Sequence, residues 1–114
     1  MAQWIDGASL AQQVRETVKL RVAQMGSRLG RPVYLTAVLV GTTAAGELYA
    51  QRQRDACKAV GIEYELITLP HDANSEQVSQ RIKQLNKDAA VTGIMLHLPL
   101  PEHLNAIELQ YQIN

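Results

Sequence analysis

Residues 38–62, VLVGTTAAGELYAQRQRDACKAVGI, decide the fold. An apolar, β-branched run ends in Gly41-Thr42-Thr43, and a segment with helical spacing follows directly. A strand that closes in a small-residue turn and passes into a helix is how an α/β sheet opens a binding crevice. Along that helix Tyr49, Gln53, Cys57 and Val60 share one stripe, with Leu48 and Ala56 beside it. Arg52, Arg54, Asp55 and Lys58 spread over the remainder, and Gly61 stands where a C′ glycine ends a helix. Thr42 or Thr43 is placed to cap the helix start.

Working outward, residues 33–40 are apolar almost throughout, which predicts a central strand buried on both faces. Before it, Leu10, Val14, Val18, Val22, Met25 and Leu29 recur at steps of three and four and mark one face of a long helix. Ser9 and Gln12 have capping-box spacing. Gly26 and Gly30 weaken the helix end, and Pro32 stops it. Arg15, Glu16, Lys19 and Arg21 form its solvated side. The segment Trp4-Ile5-Asp6-Gly7 reads as an extended lead-in closed by an Asp-Gly turn.

After residue 61, the stretch 62–69 alternates, with Ile62, Tyr64, Leu66 and Thr68 on one side of a second strand. Asn74 and Gln77 carry another cap signature, and Val78, Ile82 and Leu85 give a third helix its core face. Residues 91–98, VTGIMLHL, predict a third strand, ended by prolines that cannot continue a central ladder. Residues 104–113 predict a short last helix. The alternation implies a three-layer α/β/α domain, with a small, mainly parallel sheet and helices on both faces. Ligands on such sheets bind beyond the carboxyl ends of the strands. If the first and third long strands are neighbours, Tyr49, Gln53 and His97 converge there.

Bulk composition excludes several classes. The 114 residues suit one domain, and the 46% apolar fraction is that of a globular chain. Eleven basic and eleven acidic side chains cancel, so no electrostatic drive toward nucleic acid or an anionic membrane exists. The apolar runs are too short to span a bilayer, and no secretory signal is read at the start. One cysteine, Cys57, allows no internal disulfide and fits a reducing, cytoplasmic setting. Three scattered histidines give no metal-ligand spacing, and no dinucleotide fingerprint, P-loop or nucleophile elbow occurs.

The pattern leaves individual roles open. Tyr49 fits a half-buried aromatic with a local hydrogen-bond partner as well as a ligand platform. Gln53 fits a satisfied semi-buried amide, Cys57 a small core residue, and His97 a hydrogen-bonded histidine at a strand end. His71 and His103 read as surface loop residues.

Three separated motifs narrow this. WIDGASLAQQVR, VLVGTTAAGELYAQRQRDACKAVGI and VTGIMLHLPLP, in this order, resemble the bifunctional methylenetetrahydrofolate dehydrogenase/methenyltetrahydrofolate cyclohydrolase family. Its usual forms are I-D-G, then V-G-x-x-x-A-S-x-x-Y-x-x-x-K-x-x-A-C-x-x-x-G-I, then D-G-I-x-V-Q-L-P-L-P. The resemblance covers essentially the whole chain, residues 1–114, at the level of the N-terminal, folate-side domain. The related N-terminal domains of amino-acid and shikimate dehydrogenases are a weaker match, because they lack the L-P-L-P segment.

The resemblance implies a cleft for reduced folate between this domain and a nicotinamide-binding one. Tyr49 matches the tyrosine that stacks on substrate, and Leu98, Pro99, Leu100 and Pro101 match the cleft wall. Gln53 stands at the position of the lysine that transfers protons in the cyclohydrolase step. His97 stands at the position of the glutamine that orients it. The family's next element, K-D-V-D-G, supplies a pterin-gripping aspartate and lies beyond Ile113-Asn114.

A buried lysine exchanges protons once its pKa falls, whereas a glutamine amide does not, and Arg52 stays protonated. The inherited hydrolysis is therefore expected to be crippled. One compensating expectation is that His97 took over proton transfer with Gln53 as the orienting group. NADP or NAD belongs to a full-length parent, with no cofactor bound by this domain alone. The expected partners are reduced folate and either a nicotinamide-binding domain or a second copy on exposed apolar surface. Such a chain is a fragment cut at the inter-domain boundary or a free-standing remnant. The implied setting is cytoplasmic one-carbon metabolism feeding purine biosynthesis, and the competing expectation is a non-catalytic interaction module.

Overall fold

The structure is a computed structural model that describes residues 7–114. The elements run α1 (Gly7–Leu29), β1 (Tyr34–Val40), α2 (Ala44–Val60), β2 (Glu63–Leu69), α3 (Ser75–Lys87), β3 (Gly93–Leu96) and α4 (Ala106–Gln110). β1 is the middle strand of a parallel sheet ordered β2-β1-β3. The expected α/β architecture and the β1–β3 adjacency are both present. The expected lead-in through Trp4, Ile5 and Asp6 lies outside the described residues, and Gly7 is the first residue of α1. Ser9, expected as the cap, sits inside α1, two residues after Gly7.

The chain steps from β1 outward to β2, then crosses back over β1 to β3. Right-handed crossovers that step in opposite directions put their helices on opposite faces. Side-chain alternation follows suit. Val38 and Val40 point into a core shared with Val78, Ile82 and Leu85 of α3 and Leu109 of α4. Leu35 and Leu39 face α2. β2 contributes to both faces, since Ile67 and Leu69 pack on the α3 core while Tyr64 meets α2. Thr68, which shares a side with Ile62, Tyr64 and Leu66 in the alternation, is exposed where those three are half-buried.

Local chemistry fixes the helix ends. Thr43, in extended backbone, accepts a hydrogen bond from the Gly46 amide at 3.0 Å, so the second threonine is the α2 cap. Gly61 ends α2 in the left-handed conformation at φ 86°. Asn74 and Gln77 complete a reciprocal capping box on α3. β3 is shorter than the eight residues expected. At its start the Thr92 amide still donates to Tyr34 O at 2.8 Å, while Thr92 Oγ1 accepts from the Tyr34 amide and from Arg31 Nη1.

None of the residues of α1 is buried, because α1 packs mainly on α2. Its apolar stripe stays open, with Leu10, Val14, Val18, Met25 and Leu29 all exposed. The deepest side chains sit under α3, where Ile82, Val78 and Leu109 are fully buried. Thr36, also fully buried, has a hydroxyl with no hydrogen-bond partner. Ile82→Ala should therefore cost about 2–5 kcal/mol in urea unfolding. Thr36→Val, which removes an unsatisfied polar atom without changing shape, should be neutral or stabilising by up to about 1 kcal/mol.

Candidate active-site cleft

A switch in crossover direction leaves a gap between the carboxyl ends of β1 and β3, where ligands of α/β sheets bind. A cavity of about 480 Å³ lies there. One wall is the end of β1 with Gly41, Thr43 and Gly46, and the other is His97, Leu98 and Pro99. Tyr49 stands over it from α2. Gly41 makes the turn possible: its φ is +81°, and a Cβ there would lie 3.3 Å from the His71 ring. Its amide donates to Leu69 O at 2.8 Å, which folds the turn back onto β2.

Tyr49 and His97 meet edge to face, with ring centroids 5.4 Å apart and planes at 89°. Tyr49 remains 55% exposed, so a ring face is available to a ligand, whereas His97 is only 4% exposed. The His97 amide donates to Val38 O at 2.9 Å, continuing the sheet by one residue. Its side-chain Nε2 has no hydrogen-bond partner. Burial holds the His97 pKa below its ordinary value of 6.5, so the ring is neutral at pH 7. The walls carry no charged side chain, and His97 is the one wall residue suited to proton exchange near neutrality.

Gln53 does not join this pair. Because α2 runs antiparallel to the strands, two rulers are matched. Four helical residues rise about 6 Å and two strand residues about 6.6 Å. Tyr49 therefore lies over His97, and Gln53, one turn on, lies over Met95. The Gln53 Nε2 donates to the Met95 sulfur, and its Oε1 accepts from the Tyr64 hydroxyl at 3.0 Å. It faces a separate groove of about 290 Å³ beneath α1, shared with Val14, Val18 and Cys57. The expected convergence thus holds for Tyr49 and His97 and fails for Gln53.

Leu98 and Pro99 line the cavity and are joined by a cis peptide bond. Leu100 instead packs against the α3 core. Pro101 does not line the cavity; its carbonyl accepts from the Leu104 amide at 3.0 Å. Cys57 is buried, and burial raises its thiol pKa, so it is an inert core sulfur. His71 and His103 are exposed loop residues as expected, yet their rings lie 6.1 Å apart. Met95 and Tyr64, which hold Gln53, were missed as partners in the sequence reading. Their spacing carries no signal until the strand order is known. Among the described residues no cluster of three His, Cys, Asp or Glu is placed to hold a metal ion.

Comparisons with known proteins identify the family. Residues 5–114 match the family model described as tetrahydrofolate dehydrogenase/cyclohydrolase, catalytic domain. The chain belongs to that family. It is 43% identical over 105 residues to the mitochondrial bifunctional methylenetetrahydrofolate dehydrogenase/cyclohydrolase of Drosophila melanogaster, covering 92% of this chain and 34% of that protein. It is 39% identical over 105 residues to the bifunctional protein FolD of Aquifex aeolicus, covering 92% of this chain and 36% of the relative. The 5,10-methylenetetrahydrofolate dehydrogenase structure from Bombyx mori superposes with a TM-score of 0.89 at 32% identity, over 100% of this chain and 39% of that one. A Trypanosoma brucei dehydrogenase-cyclohydrolase complexed with NADP and inhibitor gives 0.84 at 26% identity, over 99% and 38%. The chain therefore spans little more than a third of the relatives it matches.

The neutral, buried His97 ties stability to pH. Its folded pKa lies below the unfolded value near 6.5, so the unfolded chain binds the proton more readily. The His97 contribution should be complete above about pH 6.5 and lost progressively as pH falls through the folded pKa. In urea titrations from pH 7.5 to 5, His97→Gln should lose less stability than the parent chain.

Proposed function

We propose that these 114 residues form the folate-side half of an enzyme that interconverts 5,10-methylene-, 5,10-methenyl- and 10-formyltetrahydrofolate. The observation that carries the reading is the unpartnered Nε2 of buried His97 on a cavity wall beneath an open Tyr49 ring. A buried polar atom without a partner costs stability unless a ligand supplies one. A flat heteroaromatic system such as a pterin stacks on Tyr49 and offers polar edge atoms toward His97.

Chemistry in the cleft is limited by the replaced lysine. Gln53 cannot exchange a proton at any relevant pH, and its amide is spent on Met95 and Tyr64. His97 is left as the proton-transfer group on the cleft wall, acting without Gln53 as its orienting partner. Hydride transfer needs a nicotinamide, NADP or NAD, and these residues contain no dinucleotide fingerprint. They alone bind no such cofactor and oxidise no methylenetetrahydrofolate. A nicotinamide-binding domain is the partner that would complete the cleft, in a cytoplasmic route that feeds purine synthesis.

Calorimetric titration with a stable reduced folate should give a Kd of about 0.1–1 mM, weakened at least about tenfold in Tyr49→Ala. Absence of heat at millimolar ligand would sink the binding reading. Any hydrolysis of 5,10-methenyltetrahydrofolate, followed by loss of its absorbance, should vanish in His97→Ala; surviving activity removes His97 from the chemistry.

A second reading is favoured by one specific observation. The open stripe of α1, from Leu10 to Leu29, suits a non-catalytic interaction module that associates with another copy through apolar surface. Sedimentation velocity distinguishes it: a dimer that dissociates in Val14→Glu supports the module, and a monomer at all concentrations removes it.

A further inference from the structure

One side chain fastens α2 to both outer strands of the sheet. Gln53 reaches Tyr64 on β2 with its carbonyl oxygen and Met95 on β3 with its amide nitrogen, bridging across β1. The bridge is reinforced at β2, where the Arg54 guanidinium lies 5.6 Å from the Tyr64 ring centroid. One helical turn toward the cleft, Tyr49 rests edge-on against His97. A helix turn is stiff on this scale, so the position of α2 at Gln53 sets the height of Tyr49 above the sheet.

The chemistry of the bridge calls for an amide. Tyr64 presents a hydroxyl hydrogen and needs an acceptor, while Met95 presents only sulfur lone pairs and needs a donor. Glutamine carries both at its tip. Lysine has donors and no acceptor for the Tyr64 hydrogen, and glutamate has acceptors and no donor for the sulfur. Neither Tyr64 nor Met95 lines the Tyr49–His97 cavity. Any influence they have on a ligand passes through α2.

We propose that Gln53 is a positioning residue, which with Tyr64 and Met95 fixes the seat of α2 and so holds Tyr49 against His97 in the orientation that receives a flat ligand ring. This rests on the reading of the cleft as the reduced-folate site, and it gives the lysine-position glutamine a role outside the cleft. The substitution at that position then exchanged a proton carrier for a strut. Restoring lysine alone would leave the Tyr64 hydroxyl without its acceptor.

The whole chain carrying Gln53→Leu, Tyr64→Phe, Met95→Leu or Gln53→Glu tests this with two readouts. The first is the titration of the His97 imidazole followed by NMR, which needs no ligand. The second is the affinity for a stable reduced folate. Gln53→Leu should move the His97 titration upward toward that of a solvated histidine and weaken binding by about tenfold. Tyr64→Phe should produce part of both effects in the parent and none in the Gln53→Leu background, since the two act as one unit. Gln53→Glu should not rescue, because it restores only the Tyr64 half.

A variant that loses thermal stability while the His97 titration and the affinity stay unchanged would overturn the proposal. If Gln53→Leu does not fold, Tyr64→Phe and Met95→Leu each remove one bond, and an unmoved His97 titration in both is equally decisive. If the parent binds no reduced folate, the ligand reading fails by itself. The His97 titration then still decides whether the bridge seats Tyr49.

Discussion

Everything in this fold hangs on the two-sided pairing of β1. It is the only described strand with a hydrogen-bonded neighbour on each edge, matched to β2 from Tyr34↔Glu63 to Val40↔Leu69 and to β3 from Leu35↔Gly93 to Val38↔Leu96. A strand so placed must be apolar on both faces, and Thr36 to Val40 are all buried. Since β1 is central and β2 follows it in sequence, the chain must cross back to reach β3. That return puts α2 and α3 on opposite faces and opens the crevice between the ends of β1 and β3. The cleft is thus a topological product of the sheet before any side chain is considered.

What fills the cleft depends on matched periodicities. A four-residue step on α2 and a two-residue step on β3 are nearly equal in length, so contacts come in a ladder: Tyr49 with His97, then Gln53 with Met95. This separates two residues that share a helical stripe into different environments. Tyr49 reaches the open edge beside a neutral histidine. Gln53 lies a turn deeper, in contact with both outer strands, and faces the groove beneath α1.

Much of the architecture was legible in the sequence because its signals are local. Continuous β-branched character marked β1, the Gly41-Thr43 turn and Asn74/Gln77 cap marked helix starts, and Gly61 marked a helix end. Where the sequence reading missed, the cause was non-local. Ser9 has cap spacing but sits within α1, and β3 is short, its start at Thr92 tied to Tyr34 and Arg31, distant in sequence. Of the candidate site residues, Tyr49, His97, Leu98 and Pro99 were brought together as the motifs suggest. Gln53, Leu100 and Pro101 were not, since a shared helical face or a short contiguous motif does not specify which strand residue or core each side chain meets.

Cys57 gives the α1–α2 layer an internal gauge. It lies two turns beyond Tyr49 and one beyond Gln53 on the same stripe, 7% exposed and with its thiol shifted toward the unreactive form by burial. It lines the groove beneath α1 with little of its surface exposed, so a thiol reagent reaches it faster when α1 lifts from α2 or α2 lifts from the sheet. The rate at which this single sulfur is modified is therefore a clock for the opening of the very helix that carries Tyr49. The chain holds no second cysteine to confuse the reading.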